Sequence, residues 1–489
     1  MRPWRLAWAT ALLMAGLSGA VAAPALQLQP CRLKGVEHSA QCGVLKRPLD
    51  PAAPAGPAIE LHVAVLPALS RHKRPDPLFF FAGGPGQSAI GLAGPVSRLL
   101  GRFANRRDLI LIDQRGTGRS AALACDGDDR PQRPLSESVD LAAVHQALAR
   151  CRQALQQLPH GDLRHYTTAV AMQDAEAVRQ ALGLGRINLV GVSYGTRAAL
   201  DYLRQFPQSV RRVVLDGVAP PDMVLPLSFA ADAQVALKAL FDACRADAAC
   251  EQRHPRLDDT WRSLRASLPR DVAVTHPLTG LSETLRLTPD ALAGLVRAAL
   301  YAPSLAAGLP AALAAAAEGR WAPLVGLAAA LSGPGAGGGL SQGMHFSVVC
   351  AEDLPRLDRA TPAPATDFGS GLADLYVRAC DGWPRGEVPA AFYSVLPSAS
   401  PVLLLSGAAD PVTPARHGQR VAQALGARAL HVVVPNAGHG VMGLGCLRDL
   451  VFRFVDAADD DAALALETGC AKGVPRPLTF TPPGAAASR

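Results

Sequence analysis

From about Ala25 to Pro221, short apolar segments alternate with longer amphipathic ones. Residues 59–66 alternate apolar and polar side chains, which is typical of a strand with one buried face. Mostly apolar runs, which indicate strands buried on both faces, occur at residues 77–82, 109–112, 187–190 and 212–215. Residues 170–182 have the spacing of an amphipathic helix. Strands separated by helices predict a parallel sheet covered by helices.

Between about Pro221 and Pro397 the strand pattern disappears and the chain becomes rich in Ala and Leu. We expect helices at residues 232–245, 258–268, 289–301 and 309–331, followed by a Gly-rich loop over residues 331–339. The nearly uncharged stretch 321–340 contains too much Pro and Gly for a membrane span. Residues 222–397 are therefore predicted to form a helical cap.

The sheet pattern returns at residues 401–406 and 430–435, and residues 452–455 suggest part of a closing helix. We therefore assign residues 24–221 and 398–489 to one core interrupted by the cap. The chain of 489 residues is long enough for this, and its 49% apolar and 18% charged residues are typical of a globular protein. The net charge of +7 is spread along the chain, which argues against a nucleic-acid partner.

The first residues have the pattern of a secretory signal peptide. Arg2 and Arg5 precede a short apolar core, and Ala20-Val21-Ala22 has the small-x-small form of a cleavage site, with Ala23-Pro24-Ala25 as the alternative. We predict a signal peptide over residues 1–23 and a secreted or periplasmic protein with no stable membrane association after its removal.

The ten cysteines fit an oxidising compartment. They lie in neighbouring pairs along the chain, so we expect the disulfides Cys31–Cys42, Cys125–Cys151, Cys244–Cys250, Cys350–Cys380 and Cys446–Cys470. The chain has neither Cys-x-x-Cys nor His-Glu-x-x-His, so no metal is expected.

The strongest chemical signal is Gly191-Val192-Ser193-Tyr194-Gly195, which follows an apolar strand and precedes an amphipathic helix. This is the pattern of a nucleophile elbow, where the two glycines allow a tight strand-to-helix turn that exposes the serine. We therefore predict the α/β-hydrolase fold, a mostly parallel sheet covered by helices with a helical cap insertion. Ser193 is the predicted nucleophile.

A serine nucleophile needs a general base and an acid that orients it, and in this fold they follow in the order Ser, Asp, His. Asp410 follows the strand pattern at residues 402–405, and His439 lies in the Gly-rich loop after the next strand. Asp216 also follows a strand and is the competing acid. Asp113 precedes the nucleophile, so we interpret it as part of a structural turn.

The oxyanion hole requires two backbone donors. One is predicted to be the N–H of Tyr194, directly after the nucleophile. The other should come from the loop Gly83-Gly84-Pro85-Gly86, in which proline has no N–H. Gly84 is the preferred donor and Gly83 is the next candidate.

Two segments resemble signatures of the proline iminopeptidases: residues 81–88, Phe-Ala-Gly-Gly-Pro-Gly-Gln-Ser, and residues 113–120, Asp-Gln-Arg-Gly-Thr-Gly-Arg-Ser. The elbow at 191–196, Cys-Ala-Glu-Asp at 350–353 and residues 406–414 are similar to secreted tripeptidyl aminopeptidases. Ala82 stands where proline iminopeptidases usually carry His, which favours the secreted tripeptidyl branch.

This resemblance implies a secreted serine exopeptidase that releases residues or short peptides from free N-termini, without a cofactor. Such an enzyme must recognise an ammonium group, and a carboxylate in the cap would serve. Glu352 is the candidate, with Asp353 second. A carboxylesterase or lactonase acting on small hydrophobic esters is the alternative activity. A catalytically inactive hydrolase-like binding protein is the alternative of another class.

Overall fold

A computed structural model describes residues 26–480, apart from residues 129, 131, 331–338 and 358–364. The predicted signal peptide and all but the last residue of the predicted Gly-rich loop therefore lie outside the described residues.

The described residues form a nine-stranded mixed sheet and a separate two-stranded hairpin. The strands are β1 (Gln29–Cys31), β2 (Ala40–Pro48), β3 (Ala58–Leu66), β4 (Leu78–Phe81), β5 (Leu109–Ile112), β6 (Ile187–Val192), β7 (Val210–Asp216), β8 (Arg270–Thr275), β9 (Ser282–Leu287), β10 (Val402–Gly407) and β11 (Ala429–Val434). The order in the large sheet is β1-β2-β3-β5-β4-β6-β7-β10-β11.

The first four strands in this order pair antiparallel, whereas every pair from β5 to β11 is parallel. The apolar run of β4 follows from burial of both sheet faces. Phe79 and Phe81 pack on one face with residues of the helix 168–181, while Leu78 and Phe80 pack on the other with residues of the helix 447–456. The predicted helix-covered parallel sheet is confirmed.

The α-helices of the core before the cap are α1 (Ala93–Leu99), α2 (Gly101–Ala104), α3 (Ser136–Val139), α4 (Leu141–Leu155), α5 (Thr168–Ala181) and α6 (Tyr194–Gln205). The insertion between β7 and β10 contains α7 (Phe229–Ala246), α8 (Ala248–Arg253), α9 (Leu257–Ala266), α10 (Pro289–Leu300), α11 (Pro303–Ala306), α12 (Leu309–Ala317), α13 (Ala322–Ala329), α14 (Gln342–Glu352) and α15 (Gly371–Ala379). The final helices are α16 (Ala415–Leu425), α17 (Leu447–Asp456) and α18 (Asp460–Leu464). Short 3₁₀ turns occur at Leu163–His165, Pro207–Ser209, Leu354–Arg356, Ala390–Tyr393, Gly426–Arg428 and Gly469–Gly473.

The insertion has two parts with separate apolar interiors. Helices α7 to α13 pack with the hairpin β8–β9 around Trp261 and Trp321. Helices α14 and α15 instead share a cluster with α4, which includes Leu148, Phe346 and Trp383. A helix from the first core segment therefore supports the second half of the cap.

Two details of the predicted cap are wrong. The single helix expected at residues 309–331 is two helices, α12 and α13, because Gly319 takes a left-handed conformation with φ of 86° between them. The hairpin β8–β9 was not expected in an insertion predicted to be helical. Its strands alternate buried and exposed side chains, with Val272 and Val274 facing the cluster of α7 to α13.

The expected disulfides form in the described part of the chain: Cys31–Cys42, Cys125–Cys151, Cys244–Cys250, Cys350–Cys380 and Cys446–Cys470. Among the described residues, no helix has the length and apolar character needed to cross a membrane.

Candidate active site

Ser193 lies at the junction of β6 and α6, in the strained geometry of a nucleophile elbow. Its φ is 56° and its ψ is −125°, values that non-glycine residues rarely adopt. A Cβ on Gly191 would lie 2.3 Å from the carbonyl oxygen of Gly195, and one on Gly195 would lie 2.1 Å from that of Phe81. The two glycines therefore permit the turn that holds Ser193 at the end of the parallel strands.

Asp410 and His439, which are 29 residues apart, meet at the ends of β10 and β11. The distance from His439 Nδ1 to Asp410 Oδ2 is 2.8 Å. Because a carboxylate only accepts hydrogen bonds, Nδ1 carries the proton and Nε2 is left as the basic nitrogen. This is the arrangement in which a histidine can remove a proton from a serine hydroxyl.

Further donors hold the Asp410 carboxylate in place. Its Oδ1 accepts the N–H groups of Val412 at 2.9 Å and Thr413 at 2.8 Å, and its Oδ2 accepts the Thr413 hydroxyl at 2.8 Å. Burial alone would raise the pKa of Asp410, but the positive charge of His439 and these hydrogen bonds hold it below its usual value. Asp410 is therefore ionised at neutral pH.

His439 experiences the opposite balance. Burial lowers its pKa, but the charge of Asp410 and its hydrogen bond, with a smaller contribution from Asp216, raise the pKa above its ordinary value. The rings of His439 and of Tyr301 in the cap meet in a T-shaped arrangement with centroids 5.2 Å apart, and the backbone N–H of His439 donates to the Tyr301 carbonyl at 2.8 Å. The cap therefore helps to orient the histidine.

Asp216, the competing acid, has a different role. Its carboxylate accepts the N–H groups of Val441 and Met442 at 2.8 Å, just beyond His439. Its carbonyl accepts the Ser193 N–H at 2.8 Å. Asp216 therefore links the nucleophile's backbone to the histidine loop, and the preference for Asp410 over Asp216 as the partner of His439 agrees with the geometry.

The loop Gly83–Gly86 lies beside Ser193. A Cβ on Gly83 would lie 3.2 Å from Ser193 Cβ, and Gly84 has a φ of 114°, which favours glycine. Within the described ranges, the N–H groups of Gly84 and Tyr194 donate no hydrogen bond to the protein. Tyr194 also begins α6, whose N-terminus favours negative charge. A side chain on Gly83 would meet Ser193, and the Gly84 N–H has no partner in the described ranges, so both glycines are candidates for the second oxyanion donor.

The segment after β5 forms the structural turn expected around Asp113. The carboxylate accepts the Ser88 hydroxyl at 2.5 Å and the N–H groups of Ile90 at 3.1 Å and Arg119 at 3.2 Å. Asp113 therefore ties its own turn to the segment that follows the loop Gly83–Gly86.

Glu352 and Asp353, the predicted amine-binding residues, lie in a buried ion cluster with Arg197. Glu352 Oε1 accepts the Thr168 N–H at 2.6 Å, and Oε2 accepts the Thr168 hydroxyl at 3.0 Å and Arg197 Nη1 at 3.4 Å. Asp353 accepts both Nη atoms of Arg197, at 3.0 and 3.1 Å.

The side chains of Glu352, Asp353 and Arg197 are all 0% exposed. Burial raises the pKa of Glu352 to about 7 despite the neighbouring Arg197. This placement contradicts the predicted contact of Glu352 with a substrate amine, because both of its oxygens are occupied and closed to solvent. The sequence neighbours of Glu352 gave no sign of Thr168 or Arg197, which lie 184 and 155 residues away.

Two residues of the site were not anticipated. The Thr413 hydroxyl lies 3.0 Å from His439 Nδ1 as well as 2.8 Å from Asp410, and its place in the segment Asp-Pro-Val-Thr-Pro could have suggested it. His345 of α14 contacts the carbonyl of Pro85 at 3.0 Å, a long-range contact that no local motif indicates. No group of His, Cys, Asp or Glu side chains suited to a metal ion occurs in the described ranges.

Fold and site together define a serine hydrolase of the α/β-hydrolase fold. The family model described as alpha/beta hydrolase fold matches residues 76–290, and the model described as TAP-like protein matches residues 363–463. The chain therefore has the α/β-hydrolase fold and carries a TAP-like C-terminal region, which confirms the resemblance to the proline iminopeptidase and tripeptidyl aminopeptidase group.

The sequence is similar to those of several known proteins at modest identity. The chain is 27% identical to serine protease Hip1 of Mycobacterium tuberculosis over 81% of this chain and 82% of that protein. It is 32% identical to a tripeptidyl aminopeptidase of Streptomyces lividans over 37% of this chain and 36% of that protein. It is also 29% identical to carboxylesterase B of Mycobacterium tuberculosis over 80% of this chain and 79% of that protein.

Proposed function

We propose that this protein is a secreted serine aminopeptidase that releases residues or short peptides from free N-termini. The observation that carries the proposal is the Asp410–His439 pair, joined at 2.8 Å at the ends of strands beside the elbow that exposes Ser193. The similarity to a serine protease over four-fifths of the chain, and to a tripeptidyl aminopeptidase over a shorter part, favours peptide substrates.

In the proposed reaction, His439 Nε2 takes the proton of Ser193 as Oγ attacks the scissile carbonyl. The N–H groups of Tyr194 and of Gly84 or Gly83 hold the negative oxygen of the tetrahedral intermediate. His439 then gives its proton to the leaving amine, and an acyl-enzyme remains on Ser193. Water, activated by the same histidine, releases the acyl group. Asp410 keeps His439 in the required tautomer throughout.

Secretion is supported by the five disulfides of the described residues, since such bonds form and persist in oxidising compartments. The sequence pattern of residues 1–23 supports the same proposal. Comparing the N-terminus of the mature protein from periplasm or medium with the encoded one tests it. An intact Met1 on a cytoplasmic protein would contradict it.

The second candidate is a carboxylesterase, favoured by the similarity to carboxylesterase B over most of the chain. Because Glu352 is closed to solvent, substrates discriminate the two activities better than a variant of that residue does. The test compares a short peptide anilide with a free N-terminus, its acetylated form and a short-chain ester, with Ser193→Ala as the control. Cleavage of the free-amine anilide alone supports the aminopeptidase, and cleavage of the ester alone refutes it.

A further inference from the structure

The two ends of helix α14 in the cap contact different segments near Ser193: one the loop Gly83–Gly86, the other the helix α6. The segment entering α14 is tied to the loop Gly83–Gly86, because the Ser341 N–H donates to the Gly86 carbonyl at 3.0 Å. The Ser341 hydroxyl, which has a carbonyl partner in both Gly116 and Leu123 at 2.8 Å, fixes this segment to the turn after β5. The beginning of α14 is therefore anchored to both loops that precede the nucleophile.

His345 adds a second tie at this end of α14. Its Nδ1 lies 3.0 Å from the Pro85 carbonyl, and its Nε2 lies 2.7 Å from the Tyr376 hydroxyl. Because a carbonyl can only accept, Nδ1 donates its proton and Nε2 accepts from Tyr376. Burial lowers the pKa of His345 to about 4, so the ring is neutral at physiological pH and this donor assignment is fixed. Pro85 directly follows Gly84, so His345 contacts the loop that provides the second oxyanion donor.

The other end of α14 supports Tyr194. Glu352, the last residue of the helix, accepts both the N–H and the hydroxyl of Thr168. Because the Thr168 hydroxyl donates to Glu352, its Oγ1 accepts from the Tyr194 hydroxyl at 2.6 Å, and the Tyr194 hydroxyl in turn accepts from Gln114 Nε2 at 3.0 Å. Arg197, one turn further along α6, is bound by Glu352 and Asp353. The end of α14 therefore supports the first turn of α6, the helix that follows Ser193, through Thr168 and Arg197.

We propose that α14 positions both backbone donors of the oxyanion hole, with His345 acting on the glycine loop and Glu352 acting through Thr168 on Tyr194. The inference rests on the proposed catalytic mechanism, in which these two donors hold the oxyanion. Their effect depends on placement, since a displacement of about 1 Å can cost roughly a hundredfold in rate. Glu352 and His345 are thus positioning residues, and the cap is part of the machinery that stabilises the transition state.

The experiment compares Glu352→Gln with a matched control, Glu176→Gln. Glu176 of α5 accepts the hydroxyl of Tyr202 at 2.6 Å, so it also links a carboxylate to a tyrosine of α6, but two turns away from Ser193. In Glu352→Gln an NH₂ group replaces one of the two carboxylate oxygens. Because this group is a donor, it must face another donor: the Thr168 N–H at one position, or the Thr168 hydroxyl and Arg197 at the other. His345→Leu tests the beginning of α14. Its control is His431→Leu, because His431 is hydrogen-bonded to Ser406 of β10.

The readout is the second-order rate constant for labelling of Ser193 by a small fluorophosphonate, with the melting temperature and, for the preferred substrate, kcat and KM. We expect Glu352→Gln and His345→Leu to lower the labelling rate and kcat about tenfold with little change in KM. We expect both controls to stay within about twofold of the wild type, whatever their melting temperatures.

Equal labelling rates in a variant and its control would overturn the inference, as would a loss that appears only in KM. Labelling requires the reactive serine but no amine-bearing substrate, so an esterase would give the same comparison, and failure of the aminopeptidase proposal would be seen separately with the anilides. A wild-type protein that is not labelled would overturn the catalytic mechanism and this inference with it.

Discussion

Replacing Asp410 with Asn removes one charge and one acceptor at the position that sets the tautomer of His439. The carboxylate has donors on both oxygens: the N–H groups of Val412 and Thr413 on Oδ1, and Thr413 Oγ1 and His439 Nδ1 on Oδ2. Two backbone donors require the Asn oxygen at the Oδ1 position. The amide NH₂ then occupies the Oδ2 position and faces His439 as a donor.

His439 must in turn present an unprotonated Nδ1 to the amide, so the imidazole proton lies on Nε2. Because Nε2 is then protonated, it cannot take the proton of Ser193. The corresponding substitution in a Ser-His-Asp triad lowers kcat roughly 10,000-fold. That loss corresponds to about 5 kcal/mol of transition-state stabilisation. We expect a loss of this size in Asp410→Asn, with KM changed much less.

The measurement is kcat and KM on a cleaved anilide or ester, with Asp216→Asn as the comparison. The Asp216 carboxylate accepts the backbone N–H groups of Val441 and Met442, so its replacement should shift the histidine loop and cost about tenfold. If Asp410→Asn retains more than a tenth of wild-type kcat, or if Asp216→Asn is the more damaging change, the assignment of the acid is refuted.

Three further predictions follow from the same geometry. Thr413→Val removes the hydroxyl that donates to Asp410 at 2.8 Å and should lower kcat about tenfold. Thr413→Ser keeps the hydroxyl and should retain the wild-type kcat, so an equally impaired Ser variant would contradict the role of this hydrogen bond. The Asp410 carboxylate stabilises protonated His439, but the base must be neutral, so kcat/KM should fall as pH decreases through an apparent pKa above 6.5. A pH–rate profile with a midpoint below 6.5 would be incompatible with this prediction. Replacing Cys350 and Cys380 by Ser opens a loop with a sequence separation of 30 residues. Denaturant titration should show a free energy of unfolding lower by about 3 to 4 kcal/mol, and an unchanged value would exclude a contribution of this disulfide to stability.

The order of the core elements could be predicted from the sequence because it depends on local patterns. Residues 78–81 are apolar without interruption because both faces of the central sheet are covered, and the pattern states this directly. The strand, the two glycines and the helix around Ser193 predict its strained turn, since only glycine fits the close backbone contacts there. The disulfides joined cysteines that were already neighbours along the chain.

The cap was predicted less completely, because its elements depend on contacts made over long distances. The hairpin β8–β9 is stabilised by the apolar cluster on which Val272 and Val274 pack, and that cluster is built from helices on both sides of it in sequence. The break between α12 and α13 lies at one glycine within an Ala-rich run, where helix propensity alone favours continuation.

What the sequence by itself determined is where the predicted nucleophile, acid and base lie: Ser193, Asp410 and His439 each follow a strand, and parallel strands bring their carboxyl ends to one edge of the sheet. Only the tertiary structure decided how the surrounding carboxylates are used. Asp216 joins the nucleophile to the histidine loop, and Glu352 is enclosed with Arg197 and Thr168 behind the elbow. A carboxylate has the same letter in the sequence whether it faces a substrate or an arginine, because its role is set by donors that are brought to it from distant parts of the chain.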